Sequence, residues 1–370
     1  RAARDERFAL RELAKRISGS RGVKACWTHA VSRGSGDGIV RAHRGETEHG
    51  RAVAGLSGVA RCGLAAICPV CAAKVREQTA SELGRLLAGL VTAGGSVAFV
   101  VLTIAGETGR SLEDHTAAVE RCYSRFRRLL RDRGAVRFGV LGDVSGWEFT
   151  VRLDGSGHPH RQVLFGLDRP VDVDFHRLVA HCWLDAVTSC GEVASYSHGL
   201  RLETPSLTEH GTLAVLSDYL TKGAERWGAA REFSRGDVKK SRSDESFAPF
   251  DLLRLMRDGT AVDQRLAAGA WKSYERSSKG KAVARYSRGF RAELERIAAS
   301  GVLPGAIGLA LPAQDEDDLA EAERELEAVA AEVASVDEAP VDSPVVLGLG
   351  PLAWSFVVRR RLYGTLLRVI

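Results

Sequence analysis

A chain of 370 residues, 45% of them hydrophobic, can bury more than one core. Its 52 Lys and Arg against 47 Asp and Glu give a net charge of +5, yet residues 315–338 hold eleven acids and one base, so the remainder carries about +15 and suits a polyanionic partner. The absence of any run of about 18 uncharged apolar residues excludes a membrane-spanning helix, and seven clustered cysteines do not form a secreted disulfide framework; with no signal-peptide order at the N-terminus, the cytoplasm is the expected location.

Residues 5–17 predict a basic amphipathic helix. The sequence then becomes polar and Gly-rich before Arg61-Cys62-Gly-Leu-Ala-Ala-Ile-Cys68-Pro69-Val-Cys71. Two cysteines separated by two residues form a knuckle whose thiolates converge on one tetrahedral ion, and Pro69 is a turn device inside it. Cys26 is the natural fourth ligand, with His43 or His49 as substitutes. Four protein ligands leave no open position, so such a zinc is structural.

Apolar spacing over residues 72–90 is helical, and Gly94-Gly95 leads into a buried strand over 97–104. A helix follows over 112–130, whose Arg121, Arg125, Arg127 and Arg128 form a solvated face. Strands are expected over 138–144, 147–153 and 160–165, a helix over 175–187 and an edge strand over 199–203. Residues 211–227 predict a helix that places Tyr219 and Lys222 on one face. An apolar helix is expected within 247–259, a densely basic one over 267–300, and an acidic helix or linker over 311–339.

The stretch 146–168 organises these elements. Asp154-Gly155-Ser156-Gly157 joins two strands, and residues two apart on a strand share a face. His158, His160 and Gln162 therefore point one way, as do Glu148, Thr150 and Arg152 on the partner. A carboxylate facing two imidazoles is a metal site in outline. A tyrosine with a lysine one turn away adds a phosphodiester nucleophile and a cation for its charge.

In this order the motifs resemble those of plasmid rolling-circle replication initiator (Rep) proteins of Gram-positive, especially actinobacterial, type, within the HUH endonuclease superfamily. The likeness runs from Cys26 to Arg291. It comprises the knuckle Cys62 to Cys71, Val101-Leu102-Thr103-Ile104, Glu148-Phe-Thr150, His158-Pro-His160 before Val163-Leu164-Phe165, and Tyr219-Leu-Thr-Lys222. Pro249-Phe250-Asp-Leu-Leu253 and Trp271-Lys-Ser-Tyr274-Glu275 with Ser287-Arg-Gly289-Phe-Arg291 follow.

The resemblance implies an α+β fold: a central antiparallel sheet of HUH type flanked by helices, with a zinc-knuckle N-terminal region and a helical C-terminal region. The expected divisions are a Cys-rich region over 1–90, a nicking domain over 95–230, a basic helical DNA-binding region over 231–312, an acidic linker over 313–344 and a tail over 345–370. It implies a DNA nicking-closing enzyme in which Tyr219 attacks the scissile phosphate at a plasmid double-strand origin, assisted by Lys222. The products are a 5′-phosphotyrosine and a 3′-OH primer. His158, His160, Glu148 and Gln162 would hold a divalent metal, Mn or Mg; Cys26, Cys62, Cys68 and Cys71 would hold structural zinc. Lys272, Arg285, Arg288 and Arg291 would contact DNA. Host helicase and polymerase are further expected partners.

Two positions depart from the family. Gln162 stands where H-P-H-x-H has its last histidine, so the metal pair is either the first two positions or His160 with Gln162. Val215 stands where some relatives carry a glutamate that helps close the cycle, and Asp218 is the nearest acid. The alternatives are a relaxase or transposase of the same superfamily and a non-catalytic zinc-containing DNA-binding protein.

Overall fold

The structure, a computed structural model, describes residues 2–30, 39–46, 52–107, 109–204, 206–207, 213–214, 246–304, 345–349, 354 and 357–358. The chain divides into two compact units, Arg1–Gln78 with Glu327–Ile370, and Thr79–Leu326.

The first unit opens with α1 (Ala2–Ile17) and the short α2 (Arg21–Ala25), whose N-cap Ser20 accepts from the Val23 amide. β1 (Val40–Glu46) pairs antiparallel with β2 (Ala52–Ser57) on one side and with β10 (Val345–Leu349) on the other. Val40, Ala42 and Leu56 are buried from this sheet, and Phe8 of α1 meets Trp27 edge to face at 5.0 Å. Pro69 is the first residue of α3 (Pro69–Thr92), where its missing N–H costs no helical hydrogen bond. It starts the helix between Cys68 and Cys71 and so sets the two thiols on one turn.

The second unit is built on a five-stranded antiparallel sheet, flanked by helices, with the order β6-β3-β5-β4-β9. Its strands are β3 (Ser96–Leu102), β4 (Val140–Val151), β5 (Gly157–Leu167), β6 (Leu200–Glu203) and β9 (Arg285–Tyr286). The two strands expected over 138–153 are one: Ser145 and Gly146 continue the ladder, paired with Val163 and Gln162. α4 (Leu112–Asp132) and α5 (Val173–Ser189) cover one face, where Val100, Leu102, Val163 and Phe165 pack on Phe126, Val179 and Trp183. On the other face Phe99, Val144 and Leu164 pack on Leu83, Leu86 and Leu90 of α3 and on Phe290 and Leu294 of the last helix. Each fully buried Leu or Phe here contributes about 1.5–3 kcal/mol relative to exposure. Cross-strand partners Gly142 and Gly166 make the slot for Phe290, because a Cβ at either position would come within 2.6 Å of its ring.

The short α6 (Tyr196–Gly199) precedes β6, and β7 (Ser206–Leu207) pairs with β8 (Leu213–Ala214). Leu213 and Ala214 thus begin in a strand the segment expected as a helix over 211–227; its remaining residues lie outside the described ones, as does the acidic segment 315–338. α7 (Pro249–Asp258) and α8 (Ala261–Ser278) follow, α8 starting in a reciprocal cap between Thr260 and Asp263. The continuous basic helix expected over 267–300 is broken. Gly280 and Gly289 both sit at positive φ, β9 intervenes, and a separate α9 (Phe290–Ser300) follows. Among the described residues no helix is long and apolar enough to cross a membrane.

Candidate metal centres and nucleic-acid surface

Four thiols form the first site. Cys26 follows α2, Cys62 and Cys68 lie in the loop before α3, and Cys71 is in its first turn. The Sγ–Sγ separations are 3.7 Å for Cys26–Cys68 and 3.6 Å for both Cys26–Cys71 and Cys62–Cys71. A tetrahedron with Zn–S of about 2.3 Å has edges of about 3.8 Å, so these three separations match the edges a zinc ion requires. No disulfide joins them. Hydrogen bonds among them pull Cys26 and Cys71 below the ordinary thiol range and push Cys62 and Cys68 above it. Among the described residues this is the one group of three or more His, Cys, Asp or Glu whose ligand atoms all lie within 4.8 Å of each other. Cys26 is therefore the fourth member; His43, the substitute that lies among the described residues, instead shares a 2.6 Å hydrogen bond with Ser57.

The second site is the polar end of the sheet face that packs on α3 and α9. Glu148 is directly opposite His160, Thr150 opposite His158, and Gly146 opposite Gln162, so all six share a face. Val101 of β3 flanks Gln162 on the other side. Gln162, fully buried, donates its Nε2 to Glu148 Oε2 at 2.7 Å, while its Oε1 is buried without a hydrogen bond. A buried amide oxygen left with both lone pairs costs free energy unless a cation or water meets it. A hard oxygen, a carboxylate and the His160 imidazole are a donor set that fits a divalent ion of the Mn or Mg class.

His158, next to His160 on the same face, is bonded elsewhere. Its Nε2 shares a 3.0 Å hydrogen bond with Thr103 Oγ1, whose backbone carbonyl accepts from Trp183 Nε1 at 3.3 Å. Its ring lies edge to face against His160, with centroids 4.7 Å apart, and against His115 of α4 at 5.3 Å. Burial first, then the neighbouring His160 and His115, push the His158 pKa down to about 3, so it is a neutral imidazole at pH 7. His115 donates Nδ1–H to the Gly157 carbonyl at 3.1 Å, and burial lowers its pKa.

The opposite face of β5 carries a residue that sequence reading passed over. Arg161, between His160 and Gln162, is buried with its guanidinium 4.5 Å from the Tyr123 ring and 4.8 Å from that of Trp147. Its Nη2 donates to Ser145 Oγ at 2.8 Å. Lys281 lies 4.7 Å from the same Trp147 ring and 3.1 Å from Glu120. The alternation of β5 placed Arg161 on the apolar face; nothing in the spacing named its partners. Thr103 was legible only as part of the strand motif, and His115 carried no signal.

Tyr219 and Lys222 lie outside the described residues. Among the described tyrosines, Tyr123 and Tyr274 are buried and Tyr196 is exposed. Lys272 on α8, Arg285 on β9 and Arg288 in the following turn are exposed. Arg291 on α9 is exposed as well, and its guanidinium lies 2.8 Å from Glu82 and 3.1 Å from Glu295.

No family model matches the chain, and no solved structure matches it. The chain is similar to a Streptomyces lividans protein named Protein rep, at 25% identity over a 291-residue alignment covering 63% of each chain; it thus spans less than two thirds of that relative's length.

Proposed function

We propose that the chain is a Rep-type initiator of plasmid rolling-circle replication, of HUH type, which cuts one DNA strand through a tyrosine. The reading rests on the register of β4 against β5, which puts Glu148, His160 and Gln162 side by side on the central strands of an antiparallel sheet. The distant similarity to a protein named Protein rep and the clustered thiols support it.

In this reading His160, Glu148 and Gln162 would hold a divalent ion, with His158 alongside, and that ion would supply Lewis-acid polarisation of the scissile phosphate. Tyr219 attacks phosphorus through its phenolic oxygen, in line with the leaving group. The P–O3′ bond breaks, and the proton lost by the phenol is matched by the one gained by the 3′ oxygen. A 5′-phosphotyrosine and a 3′-OH result, so the energy of the diester is conserved for closing. Lys222 offsets charge developing on the phosphate. The ordered primer end then serves host helicase and polymerase, and residues 231–312 bind the origin duplex.

A supercoiled plasmid carrying the cognate origin tests this. With Mn or Mg the wild type yields open circles bearing protein on the 5′ end, and Tyr219→Phe yields none. Origin binding with no nick under any divalent metal sinks the enzyme reading and leaves a DNA-binding protein.

A further inference from the structure

We propose that the outer face of α4, around Arg121, Arg125, Arg128 and Arg131, is a second nucleic-acid surface, one that binds the phosphate backbone of duplex DNA. The proposal rests on the reading of the chain as a DNA-binding protein and is independent of whether Tyr219 cuts.

Residues 121–137 hold seven arginines and one acid, Asp132, a net charge of +6 over 17 residues. Residues 272–291, where DNA contacts are already expected, hold seven cations and one acid over 20 residues. The α4 segment is the denser of the two, and all its cations are arginines, whose planar fork matches a pair of phosphate oxygens.

α4 turns Leu112, Val119, Cys122, Phe126 and Leu130 into the core, which leaves Arg121, Arg128 and Arg131 exposed and Arg125 half-buried on its outer side. The spacings 121/125, 125/128 and 128/131 are those at which like charges repel on a helix, and no acid is set among them. A face that serves solubility alone mixes both signs. The helix dipole accounts for cations in the last turn, whereas Arg121 and Arg125 lie about two turns or more before the C-cap Arg133. Arg121 has Glu192 at 3.4 Å and Arg131 has its neighbour Asp132 at 3.3 Å. Among the described residues no carboxylate lies within 4.0 Å of Arg125, Arg128 or Arg137.

This face adjoins the exposed cations of β9. Arg127, on its flank, lies 3.3 Å from Asp143. The Asp143 N–H donates to Ser287 Oγ at 2.9 Å, and its carbonyl accepts from the Ser287 N–H at 2.8 Å. Ser287 immediately precedes the exposed Arg288. An anionic lipid surface fits less well, because an interfacial helix needs a broad apolar flank beside its cations. Within 121–137 the one exposed large apolar side chain is Val136.

The test is fluorescence anisotropy of the full chain with a labelled duplex of mixed sequence over a range of salt. Arg125→Gln combined with Arg128→Gln, which keeps good helix formers on α4, is expected to lower the slope of log affinity against log salt by about two. Arg125→Lys combined with Arg128→Lys keeps both charges and the slope. Arg177→Gln combined with Arg296→Gln removes the same net charge from arginines paired with Asp174 at 3.1 Å and Glu293 at 2.8 Å, and leaves the slope as it is. No duplex binding by the wild type, a wild-type slope in the α4 glutamine pair, or an equal fall in either of the other pairs overturns the proposal. So does loss of binding to phosphatidylserine vesicles with the DNA slope intact. Origin nicking by the same variants reports separately on the proposed function: a chain that never nicks, yet loses slope in the α4 glutamine pair, keeps this surface and loses the enzyme.

Discussion

Gln162 donates its amide to the Glu148 carboxylate at 2.7 Å across the central strand pair, with the glutamine fully buried. The glutamine therefore does more than replace a histidine in a motif; it fixes where the carboxylate points. Removing it takes one donor from a buried carboxylate, a change that costs about 1–3 kcal/mol. Gln162→Leu is expected to lower thermal stability by that amount. Gln162→Glu sets two carboxylates in contact that share one proton, so its stability should rise as pH falls from 8 to 5, opposite to the wild type. Thermal melts of the three proteins across that range decide it.

Much of this site was legible because strand alternation is a strict period of two. With Asp154-Gly155-Ser156-Gly157 as the expected turn, the common face of Glu148, His158, His160 and Gln162 follows, and the ladder has that register, with Gly157 already in β5. Cysteine spacing was equally informative, since a knuckle is a local object. Long-range pairing was not: nothing in Val345–Leu349 indicates that it returns to β1. The helix expected over 267–300 failed because dense positive charge and alanine mask the conformational signal of Gly280 and Gly289. His115 was invisible because its relation to His158 is made by the docking of α4 on the sheet.

The depressed pKa of His158 sets an acid limit. Its folded value of about 3 lies below the ordinary 6.5, so between these values the unfolded chain binds the extra proton and stability falls with acidity. The contribution is complete above about pH 6.5 and is lost progressively toward pH 3, with a slope of at most about 1.4 kcal/mol per pH unit. Without added divalent metal, His158→Asn should show a flatter stability–pH curve than the wild type in this window. Parallel curves would mean that His158 is protonated in the folded protein.

Zinc removal from the cysteine cluster should act on the first unit alone. Thiolate ligands must shed protons, so affinity falls as pH drops, and chelation at pH 6 should be faster than at pH 8. One zinc per chain is expected by elemental analysis, and Cys71→Ser should retain less than a tenth of it. Chelation should raise amide exchange in α2 and the start of α3 while β3 and β5 stay protected. Equal loss of protection in β5 would show that the sheet needs the cluster.

Arg161 separates charge from shape. Its guanidinium is buried between two rings, and Glu120, 3.9 Å away, is 36% exposed and would not be stranded by its loss. Replacement of a buried charge by an apolar side chain of similar volume is often neutral or stabilising. Arg161→Met is therefore expected within about 1 kcal/mol of the wild type, while Arg161→Ala, which opens a cavity, should lose about 2–4 kcal/mol. Urea melts distinguish them. A loss as large in the methionine variant would make the cation itself the stabilising element.

The basic segment after α8 offers a sharper test than total charge, because its arginines are in different circumstances. Arg285 and Arg288 are exposed on β9 and the turn after it; Arg291 is exposed too but is ion-paired with Glu82 and Glu295. Each phosphate contact adds roughly one counterion to the salt dependence of binding. Neutralising Arg285 and Arg288 together should lower the slope of log affinity against log salt by about two. Arg291→Gln should leave it nearly unchanged, since a cation already paired with two carboxylates has little charge to give a phosphate. Fluorescence anisotropy of labelled origin duplex between low and moderate salt measures both. If Arg291→Gln instead flattens the slope as much as the double variant, then DNA must displace Glu82 and Glu295, and α9 belongs to the binding surface.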